Sequence, residues 1–175
     1  MKDIMLDLET LGTRHNAVII SIGACYFNRD TGEIGGRFSV NVNPDRFGDK
    51  FTMDYETVKW WFAQSQAARD SAMSDPIGLD EALRRLNSFV TYKDDVVLWS
   101  HATFDVPILM NAFDTLGIKF AVPYRNTRDL RTLMDLADHR SETPREGTHH
   151  NALDDATFQA TYAAEAFRKL KHGAA

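Results

Sequence analysis

The chain has one cysteine, Cys25, so no internal disulfide can form, and a reduced, cytoplasmic setting is expected. It has no long apolar run. The longest, Ala17 to Phe27, covers eleven residues and is broken by Ser21 and Gly23. A membrane-spanning helix needs roughly 18 or more. Met1-Lys2-Asp3 has no signal-peptide pattern and leads straight into a strand-like stretch. With 10 glycines, 5 prolines and no low-complexity tract, nothing points to disorder. Positive charge is also scarce. Twenty basic residues face 25 acidic ones, for a net charge of −5. A protein that grips nucleic acid through its overall field is usually basic. Either the partner is of another kind, or cations at one site supply the missing charge. Two divalent ions would bring −5 to −1.

What is present is ordinary globular material: 175 residues, 43% hydrophobic and 11% aromatic. This suits a single domain spanning 1–175. Residues 3–8 and 18–28 read as buried strands. Arg29-Asp30-Thr31-Gly32 is a turn, and 33–42 alternates as a third strand. Helical periodicity is expected over 53–65, 66–73 and 79–92, the last with an apolar face of Leu79, Ala82, Leu83, Leu86, Phe89 and Val90. Residues 95–100 form another strand. Helices follow at 104–116, 127–138 and 152–171, with a polar loop from Arg140 to His149. Strands first, then helix and strand in alternation, give an α/β fold: a mixed β-sheet flanked by helices.

Three places carry residues suited to chemistry. Asp7 and Glu9 lie two apart on a strand and so point to the same side. Two adjacent carboxylates are unfavourable unless a cation sits between them, though a solvated strand end is the plainer reading. Asp105 follows the 95–100 strand by a few residues, where sites gather in open α/β sheets. It reads equally well as a helix-start residue. Asp155 sits near the start of the last helix, beside a stripe of Leu153, Ala156, Ala160, Ala163, Phe167 and Leu170. His150, five residues earlier, faces Asp155 only if it lies on the preceding loop. Alone, Asp154 and Asp155 read as acids favoured by the helix dipole.

Together, four carboxylates from three segments suit hard cations such as Mg²⁺ or Mn²⁺ and do not suit structural zinc. Two such ions about 3.5–4 Å apart are a known means of cleaving phosphodiesters, and a neutral imidazole is a suitable proton acceptor near pH 7. Of Trp60 and Trp61, about 100° apart on a helix, one is expected in the core and the other as a stacking platform for a base. The arginines from 125 to 145 are matched by acids and read as solvated faces, with Arg128 within possible reach of a phosphate.

Asp7-Leu-Glu9-Thr10, Thr103-Phe104-Asp105 and His150-x4-Asp155 occur in this order. They resemble the three motifs of the DEDDh branch of DnaQ-like 3′-5′ exonucleases. Val58-Lys59-Trp60-Trp61, Phe104-Asp105-x-Pro107-Ile108-Leu109 and Arg128-Asp129-Leu130-Arg131-Thr132 extend the likeness over essentially the whole chain. They are similar to the subgroup of exodeoxyribonuclease VIII and phage-type exonucleases and of Rv2179c-like exoribonucleases. The resemblance implies a ribonuclease-H-like fold, and two Mg²⁺ or Mn²⁺ ions held by Asp7, Glu9, Asp105 and Asp155, with His150 as general base. It implies a nucleic-acid 3′ end as partner, and it allows a homodimer. Thr10, Leu11, Trp61, His101, Phe104 and Asn151 are expected to meet the substrate. His101 stands where the family often has Asn or Gly. Single-stranded DNA is favoured slightly over RNA. The alternatives are an exoribonuclease of the same family, an endonuclease on the same fold, and a non-catalytic nucleic-acid-binding module.

Overall fold

The computed structural model describes residues 1–44, 48–91, 95–141 and 143–173. Three strands come first: β1 (Asp3–Thr10), β2 (Ile19–Phe27) and β3 (Ile34–Asn41). Helices α1 (Tyr55–Ala63), α2 (Gln66–Met73) and α3 (Leu79–Val90) follow, then β4 (Val97–Ser100), α4 (Asp105–Thr115), β5 (Thr127–Asp129), α5 (Leu130–Leu136) and α6 (Ala152–Gly173). The sheet order is β3-β2-β1-β4-β5. β1 pairs antiparallel with β2 and parallel with β4, and β4 pairs parallel with β5. The expected mixed α/β sheet with flanking helices is thus present.

β1 is the central strand, and all eight of its residues are buried. Its alternation splits the core in two. Ile4, Leu6 and Leu8 face a cluster built with Leu79, Leu83, Leu86, Ile108, Leu109 and Phe113 from α3 and α4. Met5 faces the other way, toward Trp99, Leu130 and the alanines Ala156, Ala160 and Ala163 of α6. Asp7 and Glu9 share the Met5 face, because side chains two apart on a strand point the same way. Small residues on α6 let that helix lie close to the sheet. At Gly23, which pairs with Asp7, the helix start approaches closely. A Cβ on Gly23 would lie 2.1 Å from the backbone carbon of Ala152.

One expected element differs. A helix was expected over 127–138, but Thr127–Asp129 instead forms β5, and α5 starts only at Leu130. Three residues are too short to show strand alternation, and pairing with Leu98 to Ser100 decides their conformation. The first helix is also shorter than 53–65, because Asp54 is extended and stands as its N-cap. Tyr92, the expected end of α3, lies outside the described residues. No helix among the described residues is long and apolar enough to cross a membrane.

Candidate active site

The site lies at the C-terminal ends of β1 and β4, where open α/β sheets place their ligands. β1 delivers Asp7 and Glu9. After β4 the chain turns through residues 101–104 into α4, whose first residue is Asp105. That turn is held by Asp129, whose carboxylate accepts from the Ala102 backbone N–H at 3.0 Å and from the Thr132 N–H and hydroxyl at 2.9 and 2.8 Å. One aspartate therefore fixes the start of α5 and the turn that presents Asp105.

The fourth acid, Asp155, comes from the first turn of α6. Asn151 caps this helix: its side-chain oxygen accepts from the Asp154 N–H at 2.9 Å. The preceding loop folds back tightly. Gly147 has φ of +87° and His150 +64°, and the Asp154 carboxylate accepts from the Thr148 N–H at 2.7 Å. His150 lies on the loop, as its spacing from Asp155 required. Ligand atoms of Glu9, His150 and Asp155 lie within 4.8 Å of one another.

These side chains line a cavity of about 340 Å³ containing Asp7, Glu9, Asp105, Asp155 and His150, with His101 and Phe104 at its wall. Asp105 is only 1% exposed, and its Oδ2 has no hydrogen-bond partner among the described residues. Gln159, one turn after Asp155, donates to Asp7 Oδ1 at 2.7 Å. Burial, then the charges of Asp105 and Glu9, push the Asp7 carboxyl well above the usual carboxylate range, against the Gln159 bond and the Arg145 charge. Glu9 is pushed up to about 7, again by burial first and Asp105 second. Asp105 is raised mainly by burial. Packing like charges out of water has this cost unless cations join them. A set of oxygen donors with one lone pair buried and unused fits hard divalent ions. His150 shifts the other way: burial, then His149 and Arg145, lower its affinity for a proton. It is therefore neutral and able to accept a proton near pH 7.

Several residues expected to meet the substrate lie away from the carboxylates. Trp61 does not present a face to the cavity. It is 3% exposed and its Nε1–H donates to the Thr10 carbonyl at 2.8 Å. Trp60 is the outward indole, 41% exposed, with its ring 4.6 Å edge-on from that of His150. Adjacent tryptophans have opposite fates because only one faces the sheet. The Thr10 hydroxyl donates to the Gly12 carbonyl at 2.7 Å, and Leu11 is half-buried against the main core. The Asn151 amide nitrogen is engaged by Ser71 Oγ. Thr10, Leu11, Trp61 and Asn151 are not among the described residues that line the carboxylate cavity. Arg128 donates to the backbone carbonyls of Arg125 and Thr127 at 2.7 and 2.8 Å.

Arg145, expected on a solvated face, is the largest departure. Its side chain is 21% exposed, ion-paired with Asp155, and stacked over Phe158 at 5.3 Å. Gln159 and Arg131 were also not singled out as site residues. Gln159 had a signal, since it is a polar residue one turn from Asp155 on a helix face made of alanines. Arg131 lines both the carboxylate cavity and a more apolar neighbouring one of about 430 Å³, which also share His101, Phe158 and Tyr162.

The fold, a mixed five-stranded sheet flanked by helices, is shared with solved nuclease structures. The chain is similar in fold to the nuclease domain of 3′hExo, a DEDDh family member bound to rAMP, at a TM-score of 0.60 and 16% identity over 98% of this chain and 92% of that one. It is similar to S. pombe Pop2p with Mg²⁺ and Mn²⁺ bound, at 0.65 and 13% identity over 94% and 82% of the two chains. It is also similar to E. coli exonuclease I in complex with a dA16 oligonucleotide, at 0.66 and 13% identity over 97% of this chain and 42% of that chain. No curated protein matches the sequence. Residues 2–167 match the 3′-5′ exoribonuclease Rv2179c-like domain, and the chain belongs to that family. It is a hydrolytic 3′-5′ exonuclease.

Proposed function

We propose that this enzyme removes nucleotides one at a time from single-stranded 3′ ends with two divalent ions, Mg²⁺ or Mn²⁺, and releases nucleoside 5′-monophosphates. The observation that carries this reading is the convergence of Asp7, Glu9, Asp105 and Asp155 from three elements on one cavity, with His150 at its edge. The four carboxylates would hold the ions. When bound, those ions would supply Lewis-acid stabilisation of charge on the attacking and leaving oxygens.

The protein's own groups do the rest. His150 accepts a proton from the attacking water as the new phosphorus–oxygen bond forms. The bond from phosphorus to the 3′ oxygen of the preceding nucleotide breaks, and that oxygen takes a proton from solvent. Gln159 holds Asp7 in place through its 2.7 Å bond. Trp60, half-exposed beside His150, offers a face on which a base can stack.

RNA is the first substrate to expect, from the name of the matched family. DNA is the second reading, from the likeness to the exodeoxyribonuclease VIII subgroup. The test uses four 5′-labelled oligonucleotides, single- and double-stranded DNA and RNA, each with Mg²⁺, Mn²⁺ or EDTA, beside Asp7→Ala. A metal-dependent ladder shortening from the 3′ end of a single strand, absent in the variant, is expected. Cleavage of circular or 3′-blocked strands would favour an endonuclease. No cleavage by the folded protein would overturn the reading in favour of a binding module.

A further inference from the structure

Arg145 takes no part in the reaction as written above, yet it lines the cavity and is ion-paired with one of its carboxylates. Its loop is tied down on both sides of it. The Thr143 hydroxyl donates to Glu165, and the Thr148 N–H donates to Asp154. Gly147 sits so close that a Cβ there would lie 2.5 Å from the Asp154 carboxylate. From this anchored loop the guanidinium lies over the Phe158 ring and pairs with Asp155 Oδ1. Its charge is felt by Asp7 and Glu9 as well. One fixed positive charge thus serves several of the acids that would hold metal ions.

A carboxylate oxygen engaged by a guanidinium is a poor ligand for a divalent cation. The two cations repel strongly at such distances in a partly buried site, and Asp155 has only so many lone pairs to share. We propose that Arg145 is a counter-ion built into the carboxylate site, which competes with a divalent ion for Asp155 and so weakens the binding of that ion. This rests on the reading that the four carboxylates bind divalent ions. The Phe158 ring is the platform that keeps the guanidinium in position to compete.

The test is Mn²⁺ binding to the full chain, followed by titration calorimetry and by the EPR signal of free Mn²⁺. It compares wild type, Arg145→Ala, Arg145→Gln, Phe158→Leu and Asp7→Ala at low ionic strength. Removing the guanidinium should tighten Mn²⁺ binding at Asp155 by about tenfold, the scale of a single nearby charge. Arg145→Gln, which keeps most of the side-chain bulk, should behave like Arg145→Ala. Phe158→Leu should tighten the site by less. If wild type binds Mn²⁺ and both Arg145 variants bind it equally or more weakly, the competition is wrong while the metal reading stands. If wild type binds no Mn²⁺ beyond what Asp7→Ala binds, the metal reading fails and this inference falls with it.

Discussion

The protein stripped of divalent cations should become more stable, not less, as the pH is lowered from about 7.5 to about 5.5. The cause is the carboxylate cluster. Asp7, Glu9 and Asp105 all bind protons more tightly in the folded chain than in the unfolded one. A group of this kind contributes stability that is fully present below its unfolded pKa and is lost as the pH rises through its folded value. For Glu9 the window runs from 4.5 to about 7. That difference corresponds to about 3 kcal/mol. About 2 kcal/mol of this falls between pH 7.5 and 5.5, so at about 2–4 °C per kcal/mol for a chain of this size the melting temperature should rise by roughly 4–8 °C over that range. His101 and His150 oppose this, because both are lowered by burial and must be protonated on unfolding as the pH falls through 6.5. They offset part of the rise. The lowered carboxyls of Asp54, Asp129 and Glu165 act at more acidic pH, outside the window.

The assay is a thermal melt of dialysed protein across this pH range, for wild type and Asp105→Asn. Asp105 raises both Asp7 and Glu9, so its removal should shrink the rise. Saturating Mn²⁺ should abolish or reverse the trend, since bound ions favour the ionised acids. A wild-type melting temperature that is flat or falls with acidification would refute the reasoning. So would a rise of undiminished size in Asp105→Asn.

Other perturbations separate chemistry from architecture. Asp7→Ala should reduce cleavage to background while the circular dichroism spectrum and melting temperature hold or improve, because a buried like charge is removed. His150→Ala should slow turnover by about 10²–10⁴, with Mn²⁺ binding largely retained; full activity across pH 6–8 would disprove the general-base role. Trp61→Ala should cost about 3–5 kcal/mol in denaturant unfolding. Trp60→Ala should leave the fold unchanged and raise KM for oligonucleotides, by an amount matching about 1–3 kcal/mol of stacking.

The chain order of the four acids and the histidine was legible from the sequence because each stands at a boundary that local pattern reveals. Asp7 and Glu9 end a hydrophobic strand, Asp105 opens a helix after a strand, and Asp155 opens an alanine-striped helix. Two elements were not legible for a common reason. β5 is three residues long, and only its pairing with β4 makes it a strand. Arg145 lies on a loop whose sequence, rich in polar residues, reads as solvated. Only the back-folding at Gly147 and the contact of Thr148 with Asp154 carry its side chain inward. Trp60 and Trp61 show the same limit in miniature. The sequence separates their directions by about 100° but does not say which one faces the sheet.

The net charge of −5 takes on a different meaning once the fold is known. Several of the acids in that sum are not solvated surface. They are concentrated on one buried face of β1 and the helix starts beside it, where a glycine at position 23 and a stripe of alanines bring α6 close enough to place Asp155 beside Glu9. A bulkier residue at Gly23 would push the α6 start outward and separate Asp155 from the β1 acids before it affected any of them directly. The sites most sensitive to substitution in this enzyme should therefore include small, chemically inert residues under the last helix. Gly23→Ala tests this: Asp155-dependent Mn²⁺ binding should weaken while all four carboxylates remain, and unchanged Mn²⁺ affinity in a folded variant would show that the close approach is not what sets the site.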